Sequence, residues 1–149
     1  MPLDQSFVGR VYPPTEPYEV GREKIREFAD AIGDANPAYH DRSAARKLGH
    51  PDVVAPPTFA IVVTSRAAQQ VIMDPDLGVD YSRVVHGKQR FEHARPIRAG
   101  DALTVVVTVD SIRSAAGNDV VSTRAEVSNV DGEPVLTAFS TLVVRGVGS

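Results

Sequence analysis

The chain has 149 residues, which suits a single domain covering residues 1–149, with a core that needs no disulfide or metal for stability. Apolar residues make up 42% of the chain, the net charge is −3 and the basic residues are dispersed, which argues against nucleic-acid binding. The chain has no cysteine, so disulfides, thiolate metal sites and cysteine nucleophiles are excluded.

The N-terminal residues lack a basic segment followed by an apolar run, which predicts a chain without a signal peptide. The longest apolar stretch, residues 59–63, is far too short to span a bilayer. These features predict a cytoplasmic protein that does not contact a membrane.

The first half of the chain is predicted to be mixed in structure. Prolines make residues 11–18 an extended lead-in that cannot be helical. A helix is predicted to follow, ending at Gly33, because one face of it collects the apolar residues Ile25, Phe28, Ala29 and Ile32. Ser43 is predicted to cap a short helical turn that runs to Leu48 and is closed by Gly49.

A second, longer helix is predicted from about Thr58 to Met73. Pro56 and Pro57 precede it, as expected near a helix start, and an Asp-Pro pair at residues 74–75 ends it. Apolar residues cover much of its circumference, which is typical of a buried helix.

The second half of the chain is predicted to be strands. Their expected bounds are residues 84–93, 103–112, 120–130 and 135–145. Turn signals at residues 116–119 and at Asp131-Gly132 predict short connections, so the four strands are expected to form an antiparallel meander. A buried helix followed by such a sheet predicts an α+β domain in which the sheet wraps around the helix.

A motif lies in the irregular segment between the two helices. Residues 33–41 read Gly-Asp-Ala-Asn-Pro-Ala-Tyr-His-Asp, which resembles the signature of MaoC-like and (R)-specific enoyl hydratases. Residues 55–59 and 91–101 also resemble that family, most closely its N-terminal FAS1-like dehydratase branch, which includes the UPF0336-type actinobacterial proteins. The resemblance implies a hot-dog fold and hydratase or dehydratase chemistry on an acyl thioester of coenzyme A or an acyl carrier protein. It implies no metal or redox cofactor.

The chemistry of hydration gives roles to the motif residues. An acid–base pair must hold the water and move the proton at C2, so Asp34 and His40 are the candidate catalytic residues. Asn36 and Tyr39 are expected to shape the site. The alternative is that Asp34 and Asn36 only form local loop and capping bonds.

The chain departs from the family pattern at two positions. Tyr39 occupies the place of the motif histidine, and His40 lies one place later, where neighbouring loop residues usually point in different directions. Pro57 lies at the start of the central helix, where active members often carry a glycine whose N–H can bind the enolate oxygen. Proline has no N–H, so Thr58 is the remaining candidate donor there.

Three further residues are candidates for substrate binding. Phe59 would contact the acyl chain, and Arg90 and Arg95 could meet the phosphate of a pantetheine carrier, unless they are ordinary core and rim residues. No metal site is expected from four scattered histidines. In particular, His86 and His93 are seven positions apart on one strand and are predicted to face opposite sides.

Three functions remain open on the sequence. The first is an acyl-binding accessory subunit of a dehydratase, paired with a second hot-dog subunit that carries an intact Asp-His motif. The second is a self-sufficient homodimeric hydratase that uses Asp34 and His40. The third is a non-catalytic protein that binds acyl-coenzyme A. An exposed sheet edge predicts a dimer in each case.

Overall fold

The computed structural model describes residues 3–146 as a curled five-stranded antiparallel sheet with helices against it. The helices are α1 (Arg22–Ala31), α2 (Arg42–Lys47) and α3 (Ala60–Ile72), and the strands are β1 (Tyr18–Glu19), β2 (Val84–His93), β3 (Ala102–Ala115), β4 (Asn118–Asn129) and β5 (Pro134–Val144). Short 3₁₀ turns occupy Gln5–Phe7, Pro37–Tyr39, Pro57–Phe59 and Tyr81–Arg83. In this range no helix combines the length and apolar character needed to cross a bilayer.

The core lies between α3 and the concave face of the sheet. Val63, Ala67 and Val71 of α3 are buried on that side, and β3 buries alternate residues against them. The Val- and Thr-rich composition predicted this strand, and the structure adds the alternation of buried residues with a period of two. The α+β hot-dog architecture, with a sheet wrapped around a long central helix, is therefore confirmed.

The sheet order is β1-β3-β4-β5-β2. Strands β3, β4 and β5 form the predicted meander, but the prediction was wrong for β2, which pairs with β5 at the far edge. The cause lies in the connection after β2. Ala55 N–H donates to Ile97 C=O (2.8 Å) and Ala99 N–H donates to Val53 C=O (3.0 Å), so this connection runs beside the segment before α3. It therefore does not return as a hairpin.

The two turn predictions need adjustment. Ala116 and Gly117 have φ angles of 51° and 81° and alone connect β3 to β4, as a two-residue hairpin turn requires. The loop around Asp131-Gly132 has four residues rather than two. Asn129 Oδ1 accepts from the N–H groups of Asp131 (3.0 Å) and Glu133 (2.9 Å) and closes that longer loop.

The helix ends follow the expected capping chemistry with one correction. Gly33 has φ 73° and follows α1, as predicted. Asp41, not Ser43, caps α2, because its carboxylate accepts from Ser43 N–H at 2.9 Å. The predicted central helix begins as the 3₁₀ turn Pro57–Phe59 and becomes α-helical at Ala60.

Candidate functional site

The motif loop after α1 is held by its own side chains. Asp34 Oδ1 accepts from Asn36 N–H (3.1 Å), and Asn36 Oδ1 accepts from Ala38 N–H (3.0 Å). Val54 N–H donates to Ala38 C=O (3.1 Å), which fixes the loop beside the segment that leads into α3. Local loop bonds of the predicted kind are therefore made by both polar residues, and each keeps a second side-chain atom for other contacts.

Tyr39 is half-buried and packs against the core. Burial raises the pKa of its hydroxyl, and the nearby Asp34 carboxylate raises that pKa further. Tyr39 lies at the position where the motif would have a histidine. A neutral phenol can donate a hydrogen bond to a carboxylate, but with a raised pKa it is a poor base near neutral pH.

The His40 imidazole points toward the backbone carbonyl of Asp34. Its Nε2 lies 3.3 Å from Asp34 C=O and 3.9 Å from the carboxylate of Asp30, and its side chain is 29% exposed. Its own carbonyl accepts from Arg26 Nε (3.2 Å). The predicted pair of Asp34 and His40 is thus adjacent through a carbonyl and not through the carboxylate. Its catalytic role remains a prediction.

Asp52 ties the segment before α3 to the two preceding helices, α1 and α2. Its carboxylate accepts two hydrogen bonds from Arg22 of α1 (3.0 and 2.8 Å) and one from Val53 N–H (2.7 Å), and Arg42 of α2 lies 3.6 Å away. The hydrogen bonds from Arg22 are the main cause that lowers the pKa of Asp52 from 3.8 to about 2.

We expect Asp52→Asn to lower the free energy of unfolding by about 1 kcal/mol near neutral pH, since Arg22 is partly exposed and its charge is screened. A lowered pKa in the folded state means that this stability is present above about pH 4 and is lost as the pH falls through about 2. Urea unfolding at about pH 6 and about pH 3 would measure it. The difference from the parent should shrink at the lower pH, whereas Asp131→Asn in an exposed loop should show no such trend. A difference independent of pH would contradict the assignment.

The start of the central helix lies next to the motif loop. Phe59 is fully buried and meets the Phe28 ring edge-on at 5.5 Å, so it packs α1 onto α3. Pro57 and Thr58 are exposed, and Pro57 supplies no N–H at the first helical position. The carbonyl of Pro57 accepts a hydrogen bond from His93 Nε2 at 2.9 Å. Thr58 N–H thus remains the predicted donor, and Phe59 would reach substrate only if the core opened.

A cleft of about 380 Å³ lies between α3 and the concave face of the sheet, within the size range of small-molecule sites. One wall is the half of α3 that does not pack into the core. The other is the inner face of β2, β5 and β4. Its apolar lining includes Ile61, Ala68, Ile72, Val84, Ala138 and Leu142. The predicted central helix therefore has one side in the core and one side on a cleft.

A β-bulge at Gly87 turns His86 into this cleft. The register shifts between His86 and Lys88, so His86 lies opposite Leu142 while His93 lies opposite Leu136. The two histidines consequently share the inner face, and the prediction of opposite faces was wrong. Bulges re-aim side chains in this way near binding sites. A glycine inside a strand was the signal in the sequence that could have indicated one.

The two candidate arginines occupy different environments. Arg90 lies on the outer face, stacked over the Phe139 ring at 4.1 Å and paired with Glu92. Arg95 is 15% exposed and gives its guanidinium donors to Asp101, Glu133 and a backbone carbonyl. A role in binding phosphate stays a prediction for both, and Arg95 has few donors left for it.

Comparison with known proteins shows a match to one protein family. The family model described as "FAS1-like, dehydratase domain region" matches residues 6–138. A UPF0336 protein of Streptomyces coelicolor is 66% identical over 145 residues, which are 97% of either chain.

Two solved structures share both the fold and a substantial part of the sequence. The C-terminally truncated HadBC (3R-hydroxyacyl-ACP dehydratase) complex from Mycobacterium tuberculosis contains a chain that is 34% identical, with a TM-score of 0.82 over 92% of this chain and 96% of that one. A MaoC-like dehydratase is 36% identical with a TM-score of 0.88 over 95% of this chain. The match covers 43% of that longer dehydratase.

Proposed function

Because the chain belongs to the FAS1-like dehydratase family, we propose that it is the acyl-binding accessory subunit of an (R)-3-hydroxyacyl-thioester dehydratase. The reaction removes a proton from C2 and the hydroxyl from C3 of the acyl chain, and it yields a 2-enoyl thioester and water. The thioester would be of coenzyme A or of an acyl carrier protein, handled in the cytoplasm. The proposal assigns holding of the acyl chain to this subunit and proton transfer to a partner.

The observation that carries the accessory role is the arrangement at Tyr39. Burial first, and the charge of Asp34 second, raise the pKa of the Tyr39 hydroxyl, which therefore stays protonated near neutral pH and cannot accept a proton. His40, the nearest alternative, contacts a backbone carbonyl. Neither Tyr39 nor His40 forms a hydrogen bond with the Asp34 carboxylate in the described part of the chain, and this disfavours the self-sufficient homodimer.

The cleft along α3 supports the acyl-binding part of the proposal. On α3 its lining residues run from Ile61 to Ile72, so the cleft begins about one helical turn beyond Thr58. A thioester placed at Thr58 N–H would lie at the positive end of the helix dipole, with its acyl chain along the helix. The same cleft would serve a purely binding protein, so turnover with a partner distinguishes the two functions.

The unpaired edge of β2 is an argument for a partner subunit. In the described part of the chain β2 pairs only with β5, so its other edge keeps free backbone donors and acceptors over a long strand. A second hot-dog subunit would satisfy them. The 34% identical chain comes from a structure that is itself a two-protein complex, HadBC.

Co-purification from the native cells tests this proposal directly. We expect the tagged chain to bring down, in equal amount, one hot-dog subunit that carries an intact Asp-His motif, identified by mass spectrometry. A variant with Gln89→Pro should lose that subunit and still fold, because the Gln89 N–H faces the free edge of β2 and makes no hydrogen bond to β5. Recovery of the chain as a homodimer alone would contradict the accessory role.

A further inference from the structure

The cleft along α3 contains hydroxyl groups that no protein atom satisfies. Thr64 of α3 and Thr123 of β4 are 5% and 4% exposed and line the cleft. Among residues 3–146 neither hydroxyl has a hydrogen-bond partner, and neither is sealed in the core away from the cleft. A hydroxyl that is accessible from a cleft and has no protein partner is free to hydrogen-bond a ligand or water there.

These hydroxyls belong to a polar row that crosses the inner face of the sheet. Thr123 lies directly opposite Ser140 on β5, and Ser140 lies directly opposite Gln89 on β2. His86, turned inward by the bulge, places Nε2 at 3.3 Å from Ser140 Oγ. All four residues line the cleft, which therefore has a polar band between apolar ends.

A plain alkyl chain would be a poor occupant of this band. It would displace the water that hydrates the Thr64 and Thr123 hydroxyls and would offer no hydrogen bond in return. An acyl chain with its own oxygen could pair with them. Sites built to bind a hydroxyl discriminate strongly against analogues that lack it, since the protein's polar groups are then left without partners.

The spacing between Thr58 and Thr64 along the helix indicates which carbon of the acyl chain would carry that oxygen. Thr64 follows Thr58 by six residues, which is about 9 Å along the helix axis. In an extended zigzag chain each carbon–carbon bond advances about 1.3 Å, so this corresponds to roughly seven bonds from the thioester.

We infer that the acyl thioester held by this subunit carries a hydroxyl or keto oxygen well beyond C3, near C8. This inference rests on the proposed function, because it takes the thioester to lie at the start of α3. It deepens that function by naming an oxygenated acyl chain as the substrate class, recognised by Thr64 and Thr123 with Ser140 beside them.

Calorimetric titration with octanoyl-CoA and 8-hydroxyoctanoyl-CoA tests the inference, using the chain alone and its complex with the co-purified subunit. We expect 8-hydroxyoctanoyl-CoA to bind at least about tenfold more tightly. In the double variant Thr64→Val and Thr123→Val, which keeps side-chain shape, the preference should disappear or reverse. The matched control Thr137→Val, on the outer face of β5, should keep it, and the melting temperature of each variant reports folding.

The outcomes separate this inference from the function beneath it. Equal or tighter binding of octanoyl-CoA, with a ratio that the double variant does not change, would overturn the oxygenated substrate and leave the acyl-binding role standing. Failure of both ligands to bind, with or without the partner, would overturn the acyl-binding role as well.

Discussion

Co-expression with a hot-dog subunit that carries an intact Asp-His motif should raise the rate of crotonyl-CoA hydration about a hundred- to ten-thousandfold over that of this chain alone. The size follows from what a positioned acid–base pair contributes to proton transfer. In this chain Tyr39 takes the place of the motif histidine and His40 Nε2 lies beside a backbone carbonyl, so we expect the acid–base pair to come from the partner. The loss of crotonyl-CoA absorbance on hydration measures the rate.

Variants in the complex locate the chemistry. Asp34→Ala or His40→Ala in this chain should change the rate of the complex by no more than about threefold, whereas replacing the motif aspartate of the partner should remove the acid–base contribution. Turnover by the purified chain alone that disappears in either Asp34→Ala or His40→Ala would show a self-sufficient homodimer. Acyl-CoA binding without turnover in any pairing would favour the binding-only function.

The sequence predicted those parts of the molecule that local patterns determine. Strand-type composition and turn signals located β3 and β5 to within a few residues, and the proline pair located the start of the central helix. The motif placed the candidate site at residues 33–41, and that placement remains a prediction.

The sequence did not predict the features that depend on pairing between residues far apart in the chain. Nothing local in residues 84–93 tells whether they pair with β3 or with β5, and the edge position of β2 follows from contacts between residues 97–99 and 53–55. The polar row in the cleft joins three strands and a helix, so it exists only after folding. It also depends on the one-residue bulge at Gly87, which reverses the face that spacing assigns to His86.

The connection between β2 and β3 depends on a buried ion pair. Asp101 accepts two hydrogen bonds from the Arg95 guanidinium, both at 2.9 Å, and a third from Arg98 N–H at 2.9 Å. The Arg95 and Asp101 side chains are only 15% and 7% exposed. The hydrogen bonds to Asp101 are the main cause that raises the pKa of Arg95. The guanidinium therefore stays charged throughout the accessible pH range.

Asp101→Ala should therefore lower the free energy of unfolding by about 3–5 kcal/mol, because it leaves the Arg95 charge buried without its main partner. That is a large part of the total stability of a domain this size. Glu133→Gln is a matched control, since Glu133 binds the same guanidinium from a half-exposed position, and its loss should cost less than about 1 kcal/mol. Urea unfolding would compare the two.

Replacing both partners separates the cost of an uncompensated charge from the value of the pair. In Arg95→Met with Asp101→Leu no charge remains buried, so most of the stability lost in Asp101→Ala should return. The same double variant bears on the role of Arg95 itself. If the guanidinium acts mainly to hold this connection, acyl-CoA affinity should survive in the refolded double variant. A large loss of affinity despite restored stability would assign Arg95 to the substrate phosphate after all.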